Sequence, residues 1–383
     1  MDQAVFHNNQ GVAYLNQGNT KNALFEFKTA TELSPEFTEA WNNLGLAYMY
    51  LNQYDEAKNA FLKSISTDKK YPTPYNHMAT LYYNQGNYEE ALKWADDAIK
   101  RDKKYGDGYY NKGIILQEIA RKSGDPKYKE AGEQAFRFAT EADSRHYLAN
   151  FELGNLYYSQ GKIEQAIIRY KVALEIQPSA AQVWQQLGKL YQAKGQSQQA
   201  EFAFNKAMEA SPNNPESHLN LGLYYLSEKN FVLADKELYL AYKADPDNPR
   251  VLFNLAYAKL SRAEEARGRQ GVAAAQPFYQ QAIEGFSSLL QKQPKFADAA
   301  YNLGYVYART GDLGQAEQWY QKTLSIDPGY DRAMFSLGAM KLESGQKEAG
   351  VKYLCQFVLT TDQALQATKE AAQKIIAQNG GCK

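Results

Sequence analysis

The stretch Leu44-Gly45-Leu46-Ala47-Tyr48 decides the fold, because it returns along the chain at a regular interval. It recurs as Leu153-Gly154-Asn155-Leu156-Tyr157, Leu187-Gly188-Lys189-Leu190-Tyr191, Leu221-Gly222-Leu223-Tyr224-Tyr225 and Leu303-Gly304-Tyr305-Val306-Tyr307. Nine residues after each closing Tyr stands an alanine: Ala57, Ala166, Ala200, Ala234 and Ala316. Four positions further comes a bulky apolar residue: Phe61, Tyr170, Phe204, Leu238 and Tyr320. Most units then close on proline, at Pro35, Pro178, Pro212, Pro246, Pro294 and Pro328. Self-similarity at a fixed period marks a repeat architecture.

The spacing has a mechanical reading. Leu and Gly set the packing of a first helix, the Gly letting a second helix approach closely. Ala near the start of the second helix occupies the tight crossing, and the bulky residue one turn on fills the next gap. Proline ends the second helix and stiffens the turn into the next unit. Gln17-Gly18, Gln85-Gly86 and Gln160-Gly161 punctuate the hairpin tips.

This pattern resembles the tetratricopeptide repeat family over essentially the whole chain. The resemblance implies an all-α fold: a right-handed superhelical solenoid of about ten helical hairpins plus a C-terminal capping helix. Units are expected at 4–37, 38–71, 72–105, 106–146, 147–180, 181–214, 215–248, 249–296, 297–330 and 331–364, an array over 4–362 followed by a cap and tail over 363–383. Three departures stand out: Ala79 and Ala256 replace the Gly of units three and eight, and Gly350 replaces the Ala of unit ten. Unit four carries about seven extra residues and unit eight about fourteen, both between the helices. The plain expectation is a solvated excursion at each tip; a basic docking knob built on Arg262, Arg267 and Arg269 is the sharper one. At the first end, His7 and Gln10 stand where a Trp/Leu pair is usual, suiting a face with no preceding unit. At the other, 362–378 reads as an amphipathic helix with Leu365, Ala372, Ile375 and Ile376 inward and Lys369, Glu370 and Lys374 in water.

In the resembling family the residue just before each Leu-Gly points into a concave groove. Here those residues are Asn9, Asn43, His77, Asn111, Glu152, Gln186, Asn220, Asn254, Asn302 and Ser336. Helix propensity does not favour Asn there, and its amide offers a donor and an acceptor to an extended peptide backbone. The row resembles the asparagine ladder in the tetratricopeptide part of O-linked N-acetylglucosamine transferases; the competing reading is that these amides bond neighbouring repeats. Glu152 and Gln186 interrupt the row. Aromatic neighbours, Tyr257 and Tyr305 foremost with Tyr110, Phe151, Phe253 and Tyr301, supply side-chain pockets or inter-repeat packing. The Lys/Asn and Lys/Arg carboxylate clamp of chaperone-binding members is not expected in units one to three, since the matching positions hold Asn8, Val12, Thr73 and His77.

Composition narrows the function. Lys+Arg and Asp+Glu both number 43, which argues against general nucleic-acid binding. The 30 tyrosines suit half-buried seams and binding surfaces. No apolar run is long enough to cross a membrane, and Met1-Asp2-Gln3-Ala4 does not open the basic and then apolar stretch expected of a signal peptide, which leaves one in a precursor open. Phosphate-loop, dinucleotide and HExxH signatures are missing, and the four histidines are scattered, so no catalytic residue, cofactor or metal site is expected.

Two cysteines remain. A cap helix folding back antiparallel overshoots Cys355 by about 14 Å, and the tail to Cys382 spans about 13 Å. A Cys355–Cys382 disulfide therefore fits, implying an oxidising compartment such as a bacterial periplasm; the alternative is a buried thiol and a loose tail. The expected function is a non-catalytic scaffold holding a peptide or helix of a partner protein. The alternatives are an exported, lipid-anchored assembly factor resembling the tetratricopeptide lipoproteins of type IV pilus secretins, and the regulatory array of an enzyme such as a glycosyltransferase.

Overall fold

The computed structural model describes residues 2–360 and 365–382, and among them every regular element is a helix. The boundary expected at 362–363 lies outside the described residues. Two compact units divide the chain, residues 1–190 and 191–383. The first contains α1 (Asp2–Asn16), α2 (Thr20–Leu33), α3 (Thr38–Tyr50), α4 (Tyr54–Thr67), α5 (Thr73–Asn84), α6 (Tyr88–Arg101), α7 (Gly106–Ser123), α8 (Pro126–Ala142), α9 (Tyr147–Ser159) and α10 (Ile163–Ile176). The boundary falls within α11 (Ala181–Ala193). The second continues with α12 (Ser197–Ala210), α13 (Pro215–Ser227), α14 (Phe231–Ala244), α15 (Pro249–Gln270), α16 (Val272–Lys292), α17 (Ala297–Thr310), α18 (Leu313–Ile326), α19 (Asp331–Glu343), α20 (Lys347–Val358) and α21 (Gln366–Gln378). The architecture is an all-α solenoid of stacked hairpins. Within each unit the first helices of successive hairpins also touch one another (α1 with α3, α3 with α5, α5 with α7; α13 with α15, α15 with α17), so they form one continuous row.

Each hairpin is closed by a steric lock. A Cβ added to Gly45 would stand 2.5 Å from Cε1 of Phe61, and one on Gly154 would stand 2.5 Å from Cε1 of Tyr170. Gly11 meets Phe27 and Gly113 meets Phe136 in the same way. In these four hairpins the glycine admits an aromatic ring of the second helix, and Gly222 and Gly338 likewise admit the side chains of Leu238 and Leu354. The departures obey the same rule. In unit three Ala79 shares a core cluster with Ala95, which occupies the ring's place in the repeat. In unit eight Ala256 is accommodated by Gly285, where an added Cβ would lie 2.8 Å from the Ala256 Cβ. In unit ten, a Cβ on Gly350 would lie 2.9 Å from the Gly338 carbonyl oxygen and 2.6 Å from Leu342 Cγ, which accounts for the missing Ala. The crossing alanines Ala57, Ala166, Ala200, Ala234 and Ala316 are fully buried.

Turns between hairpins are tied by a donor on the following helix. Trp41 Nε1 donates to the Pro35 carbonyl (2.7 Å) and Trp184 Nε1 to that of Pro178 (2.8 Å). His218 Nε2 reaches the Pro212 carbonyl at 2.8 Å, while its Nδ1 lies 2.8 Å from Glu237 Oε2. The histidine thus replaces the indole with the bond intact. At the hairpin tips a left-handed residue turns the chain, as at Gly18 (φ 75°); Asn52 (φ 59°) takes that conformation at the corresponding tip.

The extra residues of units four and eight lengthen the helices: α7 and α8 run 18 and 17 residues, α15 and α16 run 22 and 21. In unit four they stay solvated, with Arg121 to Gly124, Pro126 and Lys127 exposed. In unit eight Ala263, Ala266, Ala275, Tyr279 and Ala282 join one buried cluster, so its added turns are packed, while the tip over 268–273 is exposed. The basic knob is not free. Arg262 pairs with Asp235, Arg267 donates to the Arg309 carbonyl, and Arg269 pairs with Glu265. On α21, Ala372 and Ile376 are buried as expected, but Lys369 is buried too and donates to the Thr360 carbonyl. Cys355 and Cys382 are joined in a disulfide across 27 residues, with Cα atoms 5.9 Å apart.

Candidate functional site

The row of residues before Leu-Gly lies on the contacting first helices, and the structure puts it to three different uses. In the first unit it is stitched from hairpin to hairpin. Asn43 Nδ2 donates to Asn8 Oδ1 (3.0 Å), and Asn111 Nδ2 donates to Asn76 Oδ1 (2.9 Å) and Thr80 Oγ1 (3.2 Å). His77 Nδ1 lies 2.9 Å from Asn42 Oδ1. Burial lowers the His77 pKa to about 4, so the neutral ring donates this bond at neutral pH. Every rung joins the row residue to the residue one place earlier in the preceding hairpin. The tandem pairs Asn8-Asn9 and Asn42-Asn43 carried that signal in the sequence. Asn9 itself is exposed.

In the second unit the rung partners are apolar, Leu219 for Asn254 and Phe253 for Asn302. Those two amides instead donate back along their own helices, Asn254 to the Arg250 carbonyl (2.7 Å) and Asn302 to the Asp298 carbonyl (2.8 Å). Asn220 is only 4% exposed. A uniform row of free amides is therefore absent: Asn43 donates one bond and Asn111 two to the preceding hairpin, Asn254 and Asn302 one each to their own helix, and Asn220 is buried.

Two clefts open along the first helices. In the first unit a cavity of about 190 Å³ lies between α5 and α7, lined by Thr80, Tyr83, Tyr110, Asn111, Ile114 and Ile115. Burial, with the Glu152 carboxylate as a second cause, pushes the Tyr110 phenol up to about 12, and its ring packs against Phe136 and His146. In the second unit a cavity of about 360 Å³ brings together Tyr257, Asn302 and Tyr305 with Tyr301, Leu260 and Arg332. Asn254 does not line it. Beside Tyr305, Glu264 accepts two bonds from Arg309 (2.9 and 2.7 Å) and one from the Tyr279 hydroxyl (2.6 Å). Those bonds hold α15, α16 and α17 in register at the cleft's edge. Tyr257 stays 42% exposed while its ring stacks on Phe253. An aromatic wall with one half-exposed amide can hold an apolar side chain and bond the main chain beside it.

Among the described residues no group of three or more His, Cys, Asp or Glu is placed to hold a metal, and no helix is long and apolar enough to cross a membrane.

No curated protein matches the chain. Similar solved structures include YrrB, titled a tetratricopeptide repeat protein with an unusual peptide-binding site: 23% identity, 56% of this chain, 99% of that one, TM-score 0.44. Another is pilF of Pseudomonas aeruginosa: 20% identity, 59% of this chain, 93% of that one, TM-score 0.45. A third is a tetratricopeptide repeat protein from Parabacteroides merdae: 18% identity, 69% of this chain, 98% of that one, TM-score 0.47. Family models of the tetratricopeptide repeat match residues 11–51 and 154–195, 38–71, 75–103, 181–214 and 260–331. With matches from the first hairpin to the last third of the chain, and with stacked helical hairpins throughout the described residues, the protein belongs to the tetratricopeptide repeat family.

Proposed function

We propose that this chain is a non-catalytic scaffold that binds an extended segment of a partner protein along its first helices. The observation that carries the reading is the 360 Å³ cleft in which Tyr257, Asn302 and Tyr305 converge. Tyr257 and Tyr305 supply apolar walls, and Asn302 keeps its carbonyl oxygen and one N–H for a backbone group after bonding Asp298. Asn254, half-exposed on the same helix as Tyr257, extends the contact. In the first unit Asn9 is open to solvent and Asn111 has its amide oxygen for the same purpose, while the Asn43 oxygen already accepts from Asn42 Nδ2 at 3.4 Å. Asn220, buried in α13, stands outside this contact.

Random dodecapeptides displayed on phage and selected against the full chain test this. Selected peptides should lose about tenfold or more in affinity on Tyr257→Ala/Tyr305→Ala, with Asn302→Ala costing less. Unchanged affinity of every selected peptide for the double variant would remove the cleft from the reading. The Cys355–Cys382 disulfide supports a second, compatible statement, that the protein works in an oxidising compartment such as a periplasm. Two alkylatable thiols in protein purified from its native source without reductant would refute it.

A further inference from the structure

Glu152 occupies the row position on α9 where other hairpins place an amide or a histidine. By the rung pattern its counterpart on the preceding hairpin is Tyr110, the residue before Asn111 and a wall of the 190 Å³ cavity. Carboxylates on or against α7 have partners: Glu118 pairs with Arg121, Asp96 with Lys112 and Asp107 with His146. Glu152 has none of this kind. Among the described residues no Lys, Arg or His bonds it, and its one hydrogen bond comes from Asn155 Nδ2 at 3.4 Å. Asn155 is itself held by the Tyr170 hydroxyl, which donates to Asn155 Oδ1 at 2.8 Å. The carboxylate is half-buried, and burial raises its pKa. It raises in turn the pKa values of Tyr110 and Tyr170, for both of which burial is the larger cause. A carboxylate without a counter-ion therefore sits near two phenol rings, one of which, Tyr110, walls an apolar cavity that Glu152 itself does not line.

A partly desolvated carboxylate without a partner is destabilising until a cation reaches it. Lys and Arg carry that cation on an apolar stem, which fits a slot of this size, and aromatic faces add attraction for the head group. We propose that Glu152 and the Tyr110 cleft, both in the first unit, form a subsite for one Lys or Arg side chain of a bound segment. The stem lies against Tyr83, Tyr110 and Ile114, and the head group meets the Glu152 carboxylate. This rests on the scaffold reading above and adds the chemistry of one of its contacts.

The same displayed dodecapeptides, selected on wild type, Glu152→Gln and Tyr257→Ala/Tyr305→Ala, test it. Wild type should enrich Lys or Arg at a constant place in the motif, and Glu152→Gln should not. Replacing that residue by norleucine in a synthetic peptide should weaken binding to wild type about tenfold or more and leave binding to Glu152→Gln unchanged. A wild-type motif without a basic residue, or equal losses on the two proteins, overturns the subsite and leaves the scaffold standing. Failure of all selections on correctly folded protein overturns both. An unlowered melting temperature for Glu152→Gln shows that its result is not a folding defect.

Discussion

The steric lock makes a quantitative prediction at Gly45. A methyl group there would lie 2.5 Å from the Phe61 ring, about 1 Å inside carbon–carbon contact. Phe61 is fully buried and cannot swing away. Overpacking of this kind costs about 1–3 kcal/mol, while Ala in place of a helical Gly returns about 1 kcal/mol. Gly45→Ala alone should therefore destabilise by up to about 2 kcal/mol. Phe61→Ala empties the ring's site and should cost about 3–5 kcal/mol. The double variant reproduces the Ala79/Ala95 pair of unit three. Its methyl group enters the vacated space without a clash, so its loss should fall short of the sum of the singles by the overpacking cost, about 1–3 kcal/mol. Urea unfolding followed by circular dichroism and tryptophan fluorescence measures the cycle, provided the slopes agree between variants. Additivity within about 0.5 kcal/mol would refute the lock.

Further perturbations test other contacts. Trp41→Phe removes the donor to the Pro35 carbonyl and should cost about 0.5–1.5 kcal/mol, read by urea unfolding. Glu264→Ala strips the acceptor from Arg309 and from the buried Tyr279 hydroxyl, so a loss of about 2–4 kcal/mol is expected; none would mean that the edge of the second cleft is held otherwise. For Glu152 the sign follows from a raised folded-state pKa: its charge penalises the fold at pH values above that pKa, and the penalty fades as pH falls through it and is gone below the ordinary glutamate value. Glu152→Gln should thus be neutral or stabilising by a few tenths to about 1 kcal/mol at pH 7 and without benefit in acid, as thermal melts across pH would record. Cys382→Ser opens a loop of 27 residues worth about 3–4 kcal/mol in chain entropy. The α21 amides should then exchange hydrogen faster, while those of α1 to α10 keep their rates.

The hairpins were legible because one string recurs with its glycine, alanine and bulky residue in step, and a repeat needs those sizes at those places. The lengthened tips were not. Counting extra residues locates them, but Ala263, Ala266 and Ala275 become a core only when α15 and α16 lie side by side. The amide row was half legible. A rung needs its partner at the preceding position of the preceding hairpin, so Asn302 next to Phe253 cannot do what Asn111 does next to Asn76. Glu152 drew notice only as an interruption, because its lack of a counter-ion is a property of neighbours remote in the chain. Lys369 was misplaced because a lysine reads as solvated until the Thr360 carbonyl stands within its reach.

Both halves of each lock lie inside one hairpin, and this bears on how such a gene can grow. Tandem duplication of a whole unit copies glycine and ring together, and the new hairpin arrives already complementary. A crossover at a hairpin tip separates them. Joining the first helix of unit three to the second helix of unit two would set Ala79 against Phe61, and the reverse exchange would leave Gly45 facing Ala95 across a void. Breakpoints in the turns between units keep every pair intact, whereas a breakpoint at a tip does so only between units that share the same pair, such as Gly11 with Phe27 and Gly45 with Phe61.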